Sequence, residues 1–218
     1  MSQDSEKIIR QVISGENGAP RHAFTSEFSD EVEQFIVSMI AAFEKWEDFN
    51  SKIGEDENRI KISNLIYCCI NHCVVAMELF LAGNLVPSGN TMRQALEAIA
   101  MGILASKPNL GFLENFSNDS YSTSRAIRNV LRNSEELNIN KGAMETIQKS
   151  ENFYHKFSHI SLMTIALNES FTDPETKPLG GYFDEGKMEE YKKEIVGRIN
   201  LANILPNLIQ GIEDNLNE

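Results

Sequence analysis

Residues 65–82 read LIYCCINHCVVAMELFLA, and the fold turns on whether this run crosses a bilayer or fills a protein core. Eighteen residues lie at the short end for a hydrocarbon layer of about 30 Å. Asn71, His72 and Glu78 fall inside the run, and polar or ionised groups are expensive in lipid. A helix apolar nearly all round is the usual central helix of a bundle. The segment therefore reads as core, in a helix from about Arg59 to Ala82 that stops at Gly83-Asn84, a plausible C-cap.

Working outward, strand signals are nearly absent. SEKIIRQVIS (5–14) is a short helix closed by Gly15 and followed by a loop, GENGAPRHA. A longer helix starts near Ser26, where Ser-Glu-Phe-Ser-Asp-Glu supplies caps and first-turn acids; its Phe35, Ile36, Met39, Ile40 and Phe43 recur at helical spacing. Pro87 or Ser88 opens a helix ending before Lys107-Pro108. Further helices are expected at about 110–116, 123–137, 143–167 and 187–216, the last kinked by Pro206. Between the final two, NESFTDPETKPLGGYFDEG (168–186) is an irregular loop or small hairpin, and connections of that length are often functional. The expectation is an all-α, single-domain helical bundle of six to eight helices, with residues 1–25 a short N-terminal helix and loop and 26–218 the bundle domain.

The 218 residues carry a net charge of −12, and the charge is uneven. Residues 1–59 hold 6 Lys and Arg against 13 Asp and Glu; residues 60–168 hold 9 against 8; residues 169–218 hold 5 against 11. Acidic ends repel phosphate backbones, which argues against non-specific nucleic-acid binding. Three cysteines, Cys68, Cys69 and Cys73, sit in the apolar run and read as buried reduced thiols. The N-terminus MSQDSEKIIR lacks the apolar stretch of a signal peptide. The expected setting is cytoplasmic, with no membrane partner.

The second informative stretch is ENFYHKFSH (151–159). On a helix, His155 and His159 leave the same face. In TMRQALEAIAMGILA, Arg93 and Glu97 stand one turn apart, and Glu97 is the only charge from Ala95 to Ala105. A buried carboxylate needs a partner or a proton, and Glu78 on the preceding apolar helix raises the same demand. If these helices pack side by side, Glu78, Arg93, Glu97, Tyr154, His155 and His159 meet in one polar pocket. Such a group can be a hydrogen-bonded network fixing helix register, a general acid–base pair, or a metal site.

Arg93, Glu97, His155 and His159 are the catalytic candidates. Glu78, Arg93, Glu97, Tyr154, Ser158 and His159 are the ligand-binding ones. For a metal, His155, His159 and Glu97 are the only candidates, and neither Glu-x-x-His on paired helices nor His-Glu-x-x-His occurs. Arg125, Arg128 and Arg132 form a basic stripe at i, i+3, i+7 that could meet a phosphate or an acidic partner; with Arg132 able to pair with Glu136 on its own helix, it reads rather as a solvated, salt-bridged face. No P-loop, Gly-x-Gly-x-x-Gly or Gly-x-Ser-x-Gly is present, and no cofactor is assigned.

ELFLAGNLVPSGNTMRQALEAIA (78–100) and FYHKFSHISLMTIAL (153–167) resemble a group of bacterial all-helical proteins known only as a domain of unknown function. There, a helix closing at a glycine leads into one with Arg-x-x-x-Glu. A later helix carries an aromatic residue, a Ser and a His, before an irregular loop and a closing helix. The matching positions are Gly83, Arg93, Glu97, Tyr154, Ser158 and His159, and the resemblance spans roughly residues 60–218. That group is similar in general shape to HEPN domains, some of which are ribonucleases. Their signature places a His about four to six residues after an Arg, a spacing this sequence lacks.

These readings make the chain an interaction or regulatory module, with a protein partner or a second copy of itself suggested by helices apolar on more than one face. The alternatives are a HEPN-like nucleic-acid or phosphoester hydrolase using His159, His155, Glu97 and Arg93, or a small-ligand sensor gated by the 168–186 loop.

Overall fold

The computed structural model describes residues 3–15 and 18–218. They form ten α-helices and four single 3₁₀ turns, with no strand among the described residues. In chain order the helices are α1 (Gln3–Ser14), α2 (Ala19–Glu27), α3 (Ser29–Ser51), α4 (Glu57–Leu81), α5 (Leu85–Ala105), α6 (Phe112–Ser117), α7 (Ala126–Arg132), α8 (Lys141–Tyr154), α9 (Leu162–Leu167) and α10 (Met188–Asn217).

The count exceeds the expected six to eight for two local reasons. The segment read as loop after Gly15 forms α2 instead. Pro20 sits in its first turn, where the fixed φ suits a helix and the missing N–H costs nothing; Phe24 buries among Phe28, Phe80, Phe183 and Tyr191, with ring centroids 4.8 to 6.2 Å away. The second reason is that the helix expected over 143–167 breaks. After α8, residues His155–Phe157 make a 3₁₀ turn. Ser161 then adopts an extended conformation and caps α9: its Oγ accepts from Thr164 N at 3.2 Å, and its own N–H donates to Thr164 Oγ1 at 2.8 Å. A Ser-x-x-Thr box satisfies the first orphan donors of a new helix, so the chain restarts rather than continues.

The closest helix pairings are α4 with α5 and α3 with α10. The central element is α5 rather than α4: 14 of its 21 residues are buried, against 10 of 25 in α4. Small residues allow this close approach. Gly89 on α5 lies directly beneath the Phe157 ring, in space a Cβ would occupy. By length and composition α4 could cross a membrane; in this fold its buried face, including Ile62, Ile66, Cys69, Cys73 and Phe80, packs into the apolar core. Cys69 and Cys73 are buried as read, but Cys68 is only partly so, and all three thiols are free.

The α4–α5 turn depends on Gly83, at φ 76°, with Asn84 N–H bonded back to Leu79 O at 2.9 Å in the manner of a Schellman cap. The 168–186 segment folds over this turn, and Tyr182 N–H reaches Gly83 O at 3.4 Å. No hairpin forms there. Buried side chains hold the loop: Lys187 Nζ donates to Leu167 O at 2.9 Å and to Glu169 O, while Asp184 accepts from the N–H groups of Phe171 and Gly186. The last helix, α10, runs without interruption through Pro206.

Candidate functional site

Arg93 and Glu97 leave α5 on the same side and form an ion pair at 2.9 Å, each side chain less than a fifth exposed. Thr123, in the 3₁₀ turn before α7, donates its hydroxyl to the other carboxylate oxygen of Glu97 at 2.7 Å. Arg93, though not Glu97, lines a cleft of about 340 Å³. Ser124 and Arg128 close one side, and Gln148, Glu151, Asn152 and His155 from α8 and its 3₁₀ turn close the other. Burial raises the Glu151 carboxyl above its ordinary value, opposed by the nearby positive charges of Arg128, His155 and Arg93. Arg128 is exposed and lines the cleft, and neither hydrogen bonds nor ion pairs engage its guanidinium among the described residues.

Of the expected cluster, Arg93, Glu97 and His155 do come together. The remaining candidates lie elsewhere. Because the chain breaks after Tyr154, His155 and His159 do not share a helix face; their rings meet edge to face at 5.6 Å, both residues are exposed, and His159 does not line the cleft. Ser158 donates its hydroxyl to His155 O at 2.8 Å, closing the turn. Glu78 is exposed and sits 3.5 Å from Arg21, which removes the demand for a buried partner. Arg132 does not pair with Glu136, which accepts from Asn109 instead.

Tyr154 belongs to a separate buried group. Its hydroxyl donates to Glu194 at 3.3 Å, and Arg198 Nη2 donates to the same carboxylate oxygen at 2.8 Å. The Arg198 guanidinium lies over the rings of Phe80 at 5.0 Å and Tyr154 at 5.7 Å, with Nε and Nη1 otherwise unpartnered. Burial drives the Tyr154 hydroxyl far above its ordinary pKa and raises Glu194, with Arg198 opposing the latter. Among the described residues, no three His, Cys, Asp or Glu side chains are grouped to hold a metal ion.

Sequence reasoning set Arg128 aside as part of a solvated face, and it missed Glu151, Glu194 and Arg198. The last two had a signal: they fall on the same helical stripe as Tyr191, Ile195 and Ile199. For Arg128 the stripe was visible, but nothing in three arginines at that spacing says which member faces a cleft. Compared with known protein families, curated proteins and solved structures, the chain matches none of them.

Proposed function

We propose that this all-α chain is a single-domain cytoplasmic binding module whose working site is the Arg93–Arg128–His155 cleft, and that its ligand is a small organic or phosphorylated anion. The observation that carries the reading is Arg128: a guanidinium lining a cleft with no hydrogen bond or ion pair among the described residues, the Glu151 carboxyl being its only charged neighbour of opposite sign on the cleft. A guanidinium is suited to bidentate capture of carboxylate or phosphate. Arg93 is oriented by Glu97, so a ligand meets one fixed and one free guanidinium, with Ser124, Gln148 and Asn152 as neutral hydrogen-bonding groups. The volume suits a small metabolite. Three free cysteines accord with a reducing compartment.

The test is thermal denaturation with inorganic phosphate, citrate and a nucleoside monophosphate in turn. At least one should raise the melting temperature of the wild type and leave Arg128→Ala unshifted. Since Arg128 makes no contact the fold depends on, the ligand-free variant should melt with the wild type. Equal shifts in both proteins, or no shift with any anion, would overturn the reading.

Glu151 favours a second reading. Its raised carboxyl stands one helical turn from His155, which is an arrangement for general acid–base chemistry on a phosphoester. In that case phosphodiester cleavage is measurable and falls in both Glu151→Gln and His155→Ala.

A further inference from the structure

The helix expected to bury Phe35, Ile36, Met39, Ile40 and Phe43 buries only Phe35 and Met39. Ile36, Ile40 and Phe43 stand in solvent, Ile40 at 52% exposure, and Val74 on α4 faces them at 48%. Between α3 and α4 lies an open groove of about 580 Å³ with an apolar floor from Val32 to Phe43 and from Ile70 to Leu81. Its rim is acidic. Glu44 and Glu47 line one end and pair with no cation among the described residues; Glu78 lines the other, and its partner Arg21 is the only cation on the groove. Beside the Glu47 end, the Phe43, Trp46 and Tyr67 rings meet in a tilted series with centroids 5.2 and 5.0 Å apart, and Phe43 and Tyr67 are exposed, offering ring faces that attract cations.

We propose that this groove docks a basic amphipathic helix of a partner protein. Charge decides the occupant. A second copy would set acidic rim against acidic rim, whereas Lys or Arg flanking an apolar stripe meets the free carboxylates of Glu44 and Glu47 and the exposed ring of Phe43. The α3 span from Val32 to Glu47 is about 22 Å at a helical rise of 1.5 Å per residue, enough for roughly four turns with anchors at i, i+3 or i+4, and i+7. The anion cleft is lined by none of the groove's residues, so either site can fail without the other.

The test uses a fluorescent Leu/Lys amphipathic peptide of about 18 residues, read by anisotropy. Its controls are a Leu/Glu counterpart and a Leu/Lys peptide of equal composition whose order destroys the stripe. The variants are Ile40→Ser with Val74→Ser, and Glu44→Gln with Glu47→Gln; all four positions lack hydrogen bonds the fold depends on, and circular dichroism verifies folding. The Leu/Lys peptide should bind the wild type, and each double variant should weaken it roughly tenfold or more, with neither control binding. Undiminished binding to Ile40→Ser/Val74→Ser, binding of the scrambled peptide alike, or no binding overturns the proposal. Light scattering is run in parallel. A dimer that dissociates in Ile40→Ser/Val74→Ser makes a second copy the occupant and overturns the basic-helix assignment.

Discussion

Glu194 and Arg198 form an ion pair at 2.8 Å, one turn apart on α10, with the Arg198 side chain wholly buried and Glu194 nearly so. Removing Arg198 leaves the Glu194 carboxylate buried with only the Tyr154 hydroxyl, at 3.3 Å, to satisfy it. Arg198→Ala should therefore cost about 3–5 kcal/mol in urea denaturation, while the double change Glu194→Leu with Arg198→Met should be far milder, because replacing both charges removes the desolvation penalty as well as the attraction.

The same pair has a pH signature. Burial holds the Glu194 carboxyl above its ordinary value in the folded state. A raised carboxyl contributes stability below its unfolded pKa and loses it as pH rises through the folded one. Arg198→Met removes the opposing charge and raises the carboxyl further. The stability of Arg198→Met should thus improve relative to wild type as pH is lowered from neutrality towards 5, and a flat difference between the two proteins would refute this.

Glu213 behaves in the opposite sense. Hydrogen bonds from Lys45 at 2.9 Å and Lys52 at 3.0 Å join α10 to α3 and to the residue that caps α3, and the Lys45 bond, partly offset by burial and helped by Lys52, holds the carboxyl below its ordinary value. Its contribution is present above the unfolded pKa and is lost as pH falls through the folded one. Glu213→Gln should lower the melting temperature at neutral pH and reduce its dependence on pH below about 5.

At the α4–α5 turn, a Cβ on Gly181 would overlap the Ala82 carbonyl oxygen, and one on Gly83 would overlap the backbone of Tyr182. Gly83 also needs its positive φ. Either substitution by Ala should destabilise by at least about 2 kcal/mol, since the obstacle is backbone that cannot swing aside. Gly111→Ala is the internal control. It carries φ +66° with nothing within 4 Å and should cost only about 1 kcal/mol.

In the cleft, Arg93→Ala leaves Glu97 with Thr123 as its remaining hydrogen-bond donor. Both ionic side chains retain some exposure, 18% and 17%, so water relieves part of the loss. The expected cost is about 1–2 kcal/mol, smaller than for Arg198, and the comparison of the two variants under identical conditions measures how far burial controls the strength of an i,i+4 pair.

Much of this was legible in the chain. Helical periodicity located eight of the helices, Gly83 marked a cap, and an isolated Glu97 beside Arg93 announced a pair that the structure contains. What failed had physical causes. Period shows that Ile36, Ile40 and Phe43 share a face, but whether a neighbour covers that face is a tertiary fact. Apolar residues surround Glu78 in sequence, yet it sits on the outer side of α4 beside Arg21. Ser161 and Thr164 could have been read as a restart, since their pattern is that of a cap; the apolar residues on either side made one long helix look continuous. That error moved His159 out of the site and concealed that Tyr154 and His155, adjacent in sequence, serve different regions.

Gly89 gives the cleft its dimensions without lining it. With no side chain on α5 at that point, Phe157 lies flat against the helix, and the 3₁₀ turn carrying His155 is seated one helical turn from Arg93. Any side chain there is a shim: it jacks the turn outward and pulls the imidazole away from the guanidinium. The smallest residue in the neighbourhood therefore sets the gauge of the opening, and a change from Gly89 to Ala alters the calibre of the cleft while every residue that lines it keeps its identity.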